Sequence, residues 1–202
     1  MKSRRLFYTS RIAEVFLEQQ TSKMKVEDLA LSLGVTKKTL YNYFDSKKEM
    51  VESVVDYISK RKLNEIRQGL TEINNPINAL VYVGKSIFSI SQTYNAIVEL
   101  PMDYLSSPIV QSIFKERREE ILEIVTFHFC KGVHLGLFDS DIDIELTSNF
   151  YIFQLENLFI RKNSLSNHQQ LVQLLYYYLK GNCTSKGLEV LRESFDLRVT
   201  AC

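Results

Sequence analysis

The sequence predicts an all-α fold, with a small three-helix unit over residues 1–48 and a larger helical body over residues 49–202. Three observations carry this. Apolar residues recur at three- and four-residue spacing through almost the whole chain. Only seven glycines and three prolines punctuate 202 residues, which suits long helices better than a many-turned β fold. The third is the stretch Val26–Lys48, VEDLALSLGVTKKTLYNYFDSKK, which reads as two short helices joined by a tight turn.

The first predicted helix covers residues 3–19, with Tyr8, Ile12, Phe16 and Leu17 along one side to pack under the hairpin. Arg4, Arg5 and Arg11 lie outside that stripe. Arg4 and Arg5 are open to two readings, a basic arm following DNA or solvated charges at a frayed end. In the hairpin, Leu29, Ala30 and Leu33 share one face of the first helix, and Leu40, Tyr43 and Phe44 one face of the second. Ala30 is small, as a closely crossing helix requires. Gly34 sits where the chain reverses and a positive φ is most easily adopted. Thr36 has the side chain to cap the second helix. Together these fit a helix-turn-helix, whose second helix enters the DNA major groove.

The candidate DNA contacts follow from chemistry. Lys37 and Lys38 at the start of the second helix face a polyanion. Thr39, Tyr41 and Tyr43 offer hydroxyls to phosphates, with Thr36 beside them, and Asn42 can pair with an adenine edge. Ser46 and Glu49 have capping-box spacing, so a new helix starts at Lys47, within reach of the phosphate backbone. The competing reading is a ligand-binding or interaction protein that keeps the hairpin as a structural unit without reading DNA.

The runs Asp28-Leu29-Ala30, Gly34-Val35-Thr36-Lys37, Thr39-Leu40-Tyr41-Asn42-Tyr43-Phe44 and Ser46-Lys47-Lys48-Glu49 resemble the N-terminal domain of TetR-family transcriptional regulators. The resemblance covers about the first quarter of the chain; the remainder is similar in length and helical pattern. It implies a homodimeric repressor that reads a palindromic operator in double-stranded DNA and releases it when a small effector binds the body. It adds Lys25 to the interface, at a position where family members often carry a capping Thr or Ser that touches phosphate. Lysine cannot cap but can neutralise a phosphate. Lys38 replaces the family's usual small residue and makes the recognition helix more basic. Gln20 and Thr21 stand where a glycine and an aromatic residue are usual.

Charge distribution agrees. Residues 1–50 hold ten Lys/Arg against six Asp/Glu, a balance of +4, and residues 51–202 hold fifteen against eighteen, a balance of −3. A basic head on a mildly acidic body suits a DNA reader with a separate sensing part. Apolar residues make up 45%, enough for a substantial core. Three scattered cysteines, Cys130, Cys183 and Cys202, give no disulfide framework. The start MKSRRLFYTSRIAEVF lacks a signal-peptide core and no run suits a bilayer, so a cytoplasmic protein without membrane contact is expected.

From Lys47, the spacing Val51, Val54, Val55, Ile58, Ile66, Leu70, Ile73 predicts a helix to about residue 73. Its length is about 40 Å, and Asn74-Asn75-Pro76 stops it. It is a natural lever between head and body. Helices follow over Pro76–Gln92, Thr93–Leu100 and Pro108–Lys131. Lys131–Asp139 reads as a glycine-punctuated turn, Asp141–Arg161 and Asn167–Leu179 as further helices, and Ser185–Phe195 as a short closing helix. Asp141–Arg161 carries Leu146, Phe150, Phe153 and Leu158 on one side and Tyr151, Leu155 and Phe159 on another. Asn167–Leu179 carries Val172, Tyr176 and Tyr177 beyond its main stripe. Helices apolar on two sides must be buried on two sides, most simply against a second copy. Tyr151, Leu155, Phe159, Val172, Tyr176 and Tyr177 are the candidate dimer face, paired as a four-helix bundle.

The aromatic residues Tyr82, Phe88, Tyr104, Phe114, Phe127 and Phe150, with Met102, have two readings. They line a cavity for an apolar or aromatic effector, or they are plain core. His128, Cys130 and His134 invite a metal reading, but positions 128 and 130 of a helix point about 200° apart, and two ligands are too few. Asp139 and Asp143 read as turn and helix-start chemistry. No nucleophile with a base and no phosphate loop is present. The sequence therefore predicts no enzyme, no metal and no cofactor.

Overall fold

Helix boundaries follow local capping chemistry. In the computed structural model, which describes residues 2–18, 24–98, 104, 106–160 and 168–195, the described residues form nine helices. These are α1 (Lys2–Glu18), α2 (Val26–Ser32), α3 (Lys37–Tyr41), α4 (Lys47–Leu70), α5 (Pro76–Val98), α6 (Pro108–His134), α7 (Ile144–Ile160), α8 (His168–Lys180) and α9 (Ser185–Ser194). An isolated antiparallel bridge pairs Phe138 with Cys183. Asn75 Oδ1 accepts the Ile77 N–H at 2.9 Å, with Pro76 in the first turn where its missing N–H costs nothing. Asp143 Oδ1 accepts the Leu146 N–H at 2.9 Å and Asp139 Oδ1 the Asp141 N–H at 3.2 Å, the helix-start and turn roles expected of them.

Three boundaries differ from expectation. Helix α4 ends at Leu70, because the Thr71 and Ile73 N–H groups bond back to Gln68 and Leu70 and tighten the last turn. The segments expected at 76–92 and 93–100 are one helix, α5; Gln92-Thr93 contains neither Pro nor Gly to break it. Helix α6 runs through Gly132 to His134. The reversal comes at Gly136, φ +67°, where the Gly136 N–H bonds to Val133 and the Leu137 N–H to Gly132 in a Schellman motif. Among the described residues, no helix is long and apolar enough to cross a membrane.

The chain divides into two units: Met1–Asn64 with Ile90–Arg118, and Glu65–Ser89 with Glu119–Cys202. In the first, Ile12 and Phe16 of α1, Val26, Leu29 and Ala30 of α2, Leu40, Phe44, and Met50, Val54 and Ile58 of α4 form one buried cluster with Val110 and Ile113. Tyr8 and Leu17 pack against it, so the predicted stripe of α1 faces the hairpin. The buried Glu52 carboxylate accepts the Ser107 hydroxyl at 2.5 Å, while the Ser107 carbonyl accepts the Gln111 N–H of α6.

The second unit is built around aromatic contacts. Phe129 lies 5.0 Å from Phe138 and 6.0 Å from Tyr151, centroid to centroid. Tyr151 is fully buried and its hydroxyl donates to the Leu80 carbonyl at 2.5 Å, which satisfies the one polar atom of the ring. Thr184 caps α9 and ties it to the preceding turn: its N–H donates to Leu137, its hydroxyl to Gly136 at 2.7 Å, and it accepts the Gly187 N–H.

Candidate nucleic-acid interface

The hairpin is assembled from its turn outward. Gly34 adopts φ +67° at the end of α2, and the Gly34 and Val35 N–H groups bond to the Leu31 and Ala30 carbonyls. This Schellman motif reverses the chain in three residues, as the glycine predicts. Thr36 then caps α3: its Oγ1 accepts the Thr39 N–H at 3.1 Å and lies 2.9 Å from the Thr39 hydroxyl. Leu40 and Phe44 are buried, so α3 is fixed in rotation about its axis. Lys37, Lys38, Tyr41 and Asn42 are left on the surface. Lys25 is exposed immediately before α2 and makes no side-chain cap.

After α3 the predicted cap is present. Ser46 Oγ accepts the Glu49 N–H at 3.1 Å, and Glu49 Oε2 accepts the Asp45 N–H at 2.5 Å. Glu49 also receives Arg5 Nη2 at 2.6 Å, which continues to Ser53 Oγ at 3.1 Å; the guanidinium lies 5.4 Å from the Phe44 ring centroid. Arg5 thus ties α1 to the start of α4, a third role beside the arm and the solvated charge. Lys47, the first residue of α4, is half-buried.

Two candidates are not simple surface groups. Tyr43 is half-buried with its ring 5.0 Å from that of Tyr8, so it also packs the head. Lys37 Nζ is paired with Glu27 Oε1 at 2.5 Å and lies 5.7 Å from the Tyr41 ring centroid. The hydrogen bond between them holds the Glu27 carboxyl below the usual carboxylate range and the Lys37 ammonium above its ordinary value. Sequence reasoning missed Glu27. Its opposite charge on the other helix of the same hairpin is the signal that points to it.

The other candidate sets are rearranged. Tyr104 and Phe114 pack against the cluster of the first unit, while Tyr82 and Phe88 belong to the second. Tyr82 lies over Gly69, where a Cβ would meet its hydroxyl. Phe127 and Phe150 are 61% and 49% exposed, so neither lines an enclosed cavity. Met102 lies outside the described residues, as does the Phe159 side chain. A hollow of about 340 Å³ is lined instead by Phe7, Tyr8, Arg11, Leu33 and Val35, none of them an effector candidate. Tyr151 and Leu155, expected on a dimer face, are packed inside the protomer. The exposed side of α7 carries Leu146, Phe150 and Phe153. On α8, Tyr177 is exposed and Val172 and Tyr176 are half-buried, with Tyr176 against Phe195 at 5.7 Å.

His128 is buried, whereas Cys130 and His134 are exposed, and no group of three metal-ligand side chains forms among the described residues. Cys130 is therefore not the buried small hydrophobe its type suggests. His128 Nδ1 and Ser148 Oγ are buried without a hydrogen-bond partner in the protein. Burial, with Lys131 adding to it, pushes the His128 imidazole below its ordinary range, so it is neutral near pH 7.

Comparison with known proteins places this geometry. Residues 10–54 match the model of bacterial regulatory proteins of the tetR family. The HTH-type transcriptional regulator YvaF of Bacillus subtilis is 36% identical over 84 residues, covering 40% of this chain and 43% of that protein. The HTH-type transcriptional repressor KstR2 of Rhodococcus jostii is 28% identical over 142 residues, 68% of this chain and 69% of that one. The structure of the ketosteroid transcriptional regulator KstR2 of Mycobacterium tuberculosis has the same fold, with a TM-score of 0.58 and 20% identity over 92% of this chain and 97% of that one. Residues 10–54 thus match the tetR family of bacterial regulatory proteins, and the chain as a whole shares its fold with a solved transcriptional regulator.

Proposed function

We propose that the protein is a cytoplasmic, ligand-responsive repressor that binds a palindromic operator as a homodimer. Residues 1–48 read double-stranded DNA, and residues 49–202 pair the two copies and take the effector. One observation carries the reading. Leu40 and Phe44 are buried while Lys38, Tyr41 and Asn42 are exposed, so α3 turns its polar chemistry outward at a fixed rotation. Lys25, Thr36, Lys37, Thr39, Tyr43 and Lys47 complete the interface. The name of the relative KstR2, a repressor, supports the sign of regulation.

Two α3 helices of a symmetric dimer meet successive major grooves about 34 Å apart. An effector that binds the mismatched state more tightly lowers operator affinity by that difference alone. The effector is an apolar or aromatic small molecule. His128 and Ser148, buried and unpartnered on α6 and α7 of the second unit, are its polar anchors. The pairing surface is the exposed face Leu146, Phe150 and Phe153 of α7 with Tyr177 of α8.

A salt series with DNA flanking its own gene tests the reading. Lys47→Ala weakens binding to every duplex and reduces the slope of log affinity against log salt by about 0.9. Tyr41→Ala costs about 1–3 kcal/mol on the operator and less on random DNA. Equal losses on both duplexes for both variants rule out the assigned base readers. Phe150→Asp buries a charge in the proposed pairing face and shifts the sedimenting species from dimer to monomer. A dimer that persists moves the interface elsewhere.

A further inference from the structure

We propose that the hollow in the first unit is a second small-molecule site, which takes a monocarboxylate with a flat aromatic body. It is a place apart from the effector site assigned to the second unit, and it stands whether or not α3 reads DNA.

The hollow, about 340 Å³, is lined by Phe7, Tyr8 and Arg11 of α1 and by Leu33 and Val35 of the turn after α2. Its volume falls within the roughly 300–1,000 Å³ of ligand sites, which join apolar walls to a few polar groups. The walls are held before any ligand arrives. Leu33 and Val35 flank Gly34 at φ +67°, and their N–H groups bond to the Leu29 and Ala30 carbonyls at 3.1 and 2.9 Å. Tyr8 packs against the buried cluster with its ring 5.0 Å from that of Tyr43, and Phe7 meets the Tyr8 ring edge-on at 5.4 Å. Phe7 is 58% exposed, so its ring offers stacking area that the core of the chain does not use. Arg11 sets the charge. It is the single charged residue of the lining, and its Nη1 donates to Glu14 Oε2 at 2.8 Å, with both side chains about half exposed. That bond engages one donor of the guanidinium fork and leaves others for a second carboxylate. A cationic ligand is repelled by Arg11, and a dianion is opposed by Glu14. One negative charge on an aromatic body fits these walls.

The probes are 2-naphthoate and its neutral counterpart 2-naphthamide, titrated into the full chain and followed by methyl NMR. A naphthalene seated in the hollow displaces the Leu33 and Val35 methyl signals by its ring current. 2-Naphthoate is expected to saturate these shifts with a dissociation constant of about 1 mM or tighter, the value for a ligand of about thirteen non-hydrogen atoms at ordinary efficiency. It binds about three- to five-fold tighter than the amide, the gain of one exposed ion pair. Arg11→Gln removes that preference and leaves amide binding unchanged. Glu14→Gln, which takes away the competing carboxylate, tightens 2-naphthoate about two-fold. Phe7→Ala weakens both probes about five-fold through the lost ring contact. All three substitutions fall on exposed side chains, and circular dichroism is expected to match the parent. Shifts that fail to saturate by about 10 mM overturn the proposal. Equal binding of the two probes also overturns it, as does a preference for 2-naphthoate that survives in Arg11→Gln. Shifts confined to methyls of Glu119–Cys202 overturn it too, because the probe then sits in the second unit.

Discussion

Phe44→Ala is expected to remove operator binding by dismantling the support of α3, at a cost of about 3–5 kcal/mol. Phe44 is 1% exposed and closes the cluster that holds Leu29, Leu40 and Ile12. Its ring also lies beneath the Arg5 guanidinium, which is in turn bonded to Glu49 at the start of α4. Truncation leaves a void at the junction of α1, α3 and α4, and the chain cannot refill it without moving one of them. Phe44→Leu keeps most of the volume and is expected to retain binding. Urea unfolding followed by circular dichroism gives the stability loss, and anisotropy on the operator gives the binding loss. Full operator affinity in Phe44→Ala contradicts this account of the head.

Gly187→Ala is the second large effect, and it falls in the other unit. A Cβ at this position would lie 1.9 Å from the Leu137 carbonyl oxygen and 3.2 Å from the Cys183 Cβ. The obstacle is backbone, which no rotamer change relieves. Helix α9 must lift from the turn after α6, losing the hydrogen bonds through Thr184 that hold it there. Overpacking of this kind costs about 3 kcal/mol. In a chain of this length that lowers Tm by about 6–12 °C, read by thermal melting. A Tm within a degree or two of the parent shows that α9 is not seated by this contact.

What was legible in the sequence was local. The positive φ of Gly34, the cap at Thr36 and the Ser46–Glu49 pair each need only a few neighbouring residues, and each is present. Apolar spacing likewise picks out Leu40 of α3 and Phe44 just after it as buried, whereas Tyr43, expected on the same face, is only half-buried. What escaped was set at long range. Both sides of α7 are apolar, so periodicity finds two stripes without saying which turns inward. Tyr151 goes inside because its hydroxyl meets the Leu80 carbonyl, 71 residues away. It also has room because Gly84 has no Cβ. Phe150, its neighbour in sequence, is then driven outward. The Glu27–Lys37 pair spans ten residues across a turn, a separation that helical spacing does not reveal. The unbroken α5 shows the converse: an expected break with no Pro or Gly beneath it does not occur.

Helix α3 has only five residues, little more than a single turn, and a piece that short does not persist in water without its surroundings. The positions that keep it folded, Thr36, Leu40 and Phe44, are separate from Lys38, Tyr41 and Asn42, which it displays. Lineages can therefore rewrite the displayed letters one at a time while the scaffold beneath stays constant. On the proposed reading of α3, drift toward a new target site meets no folding barrier at those three positions.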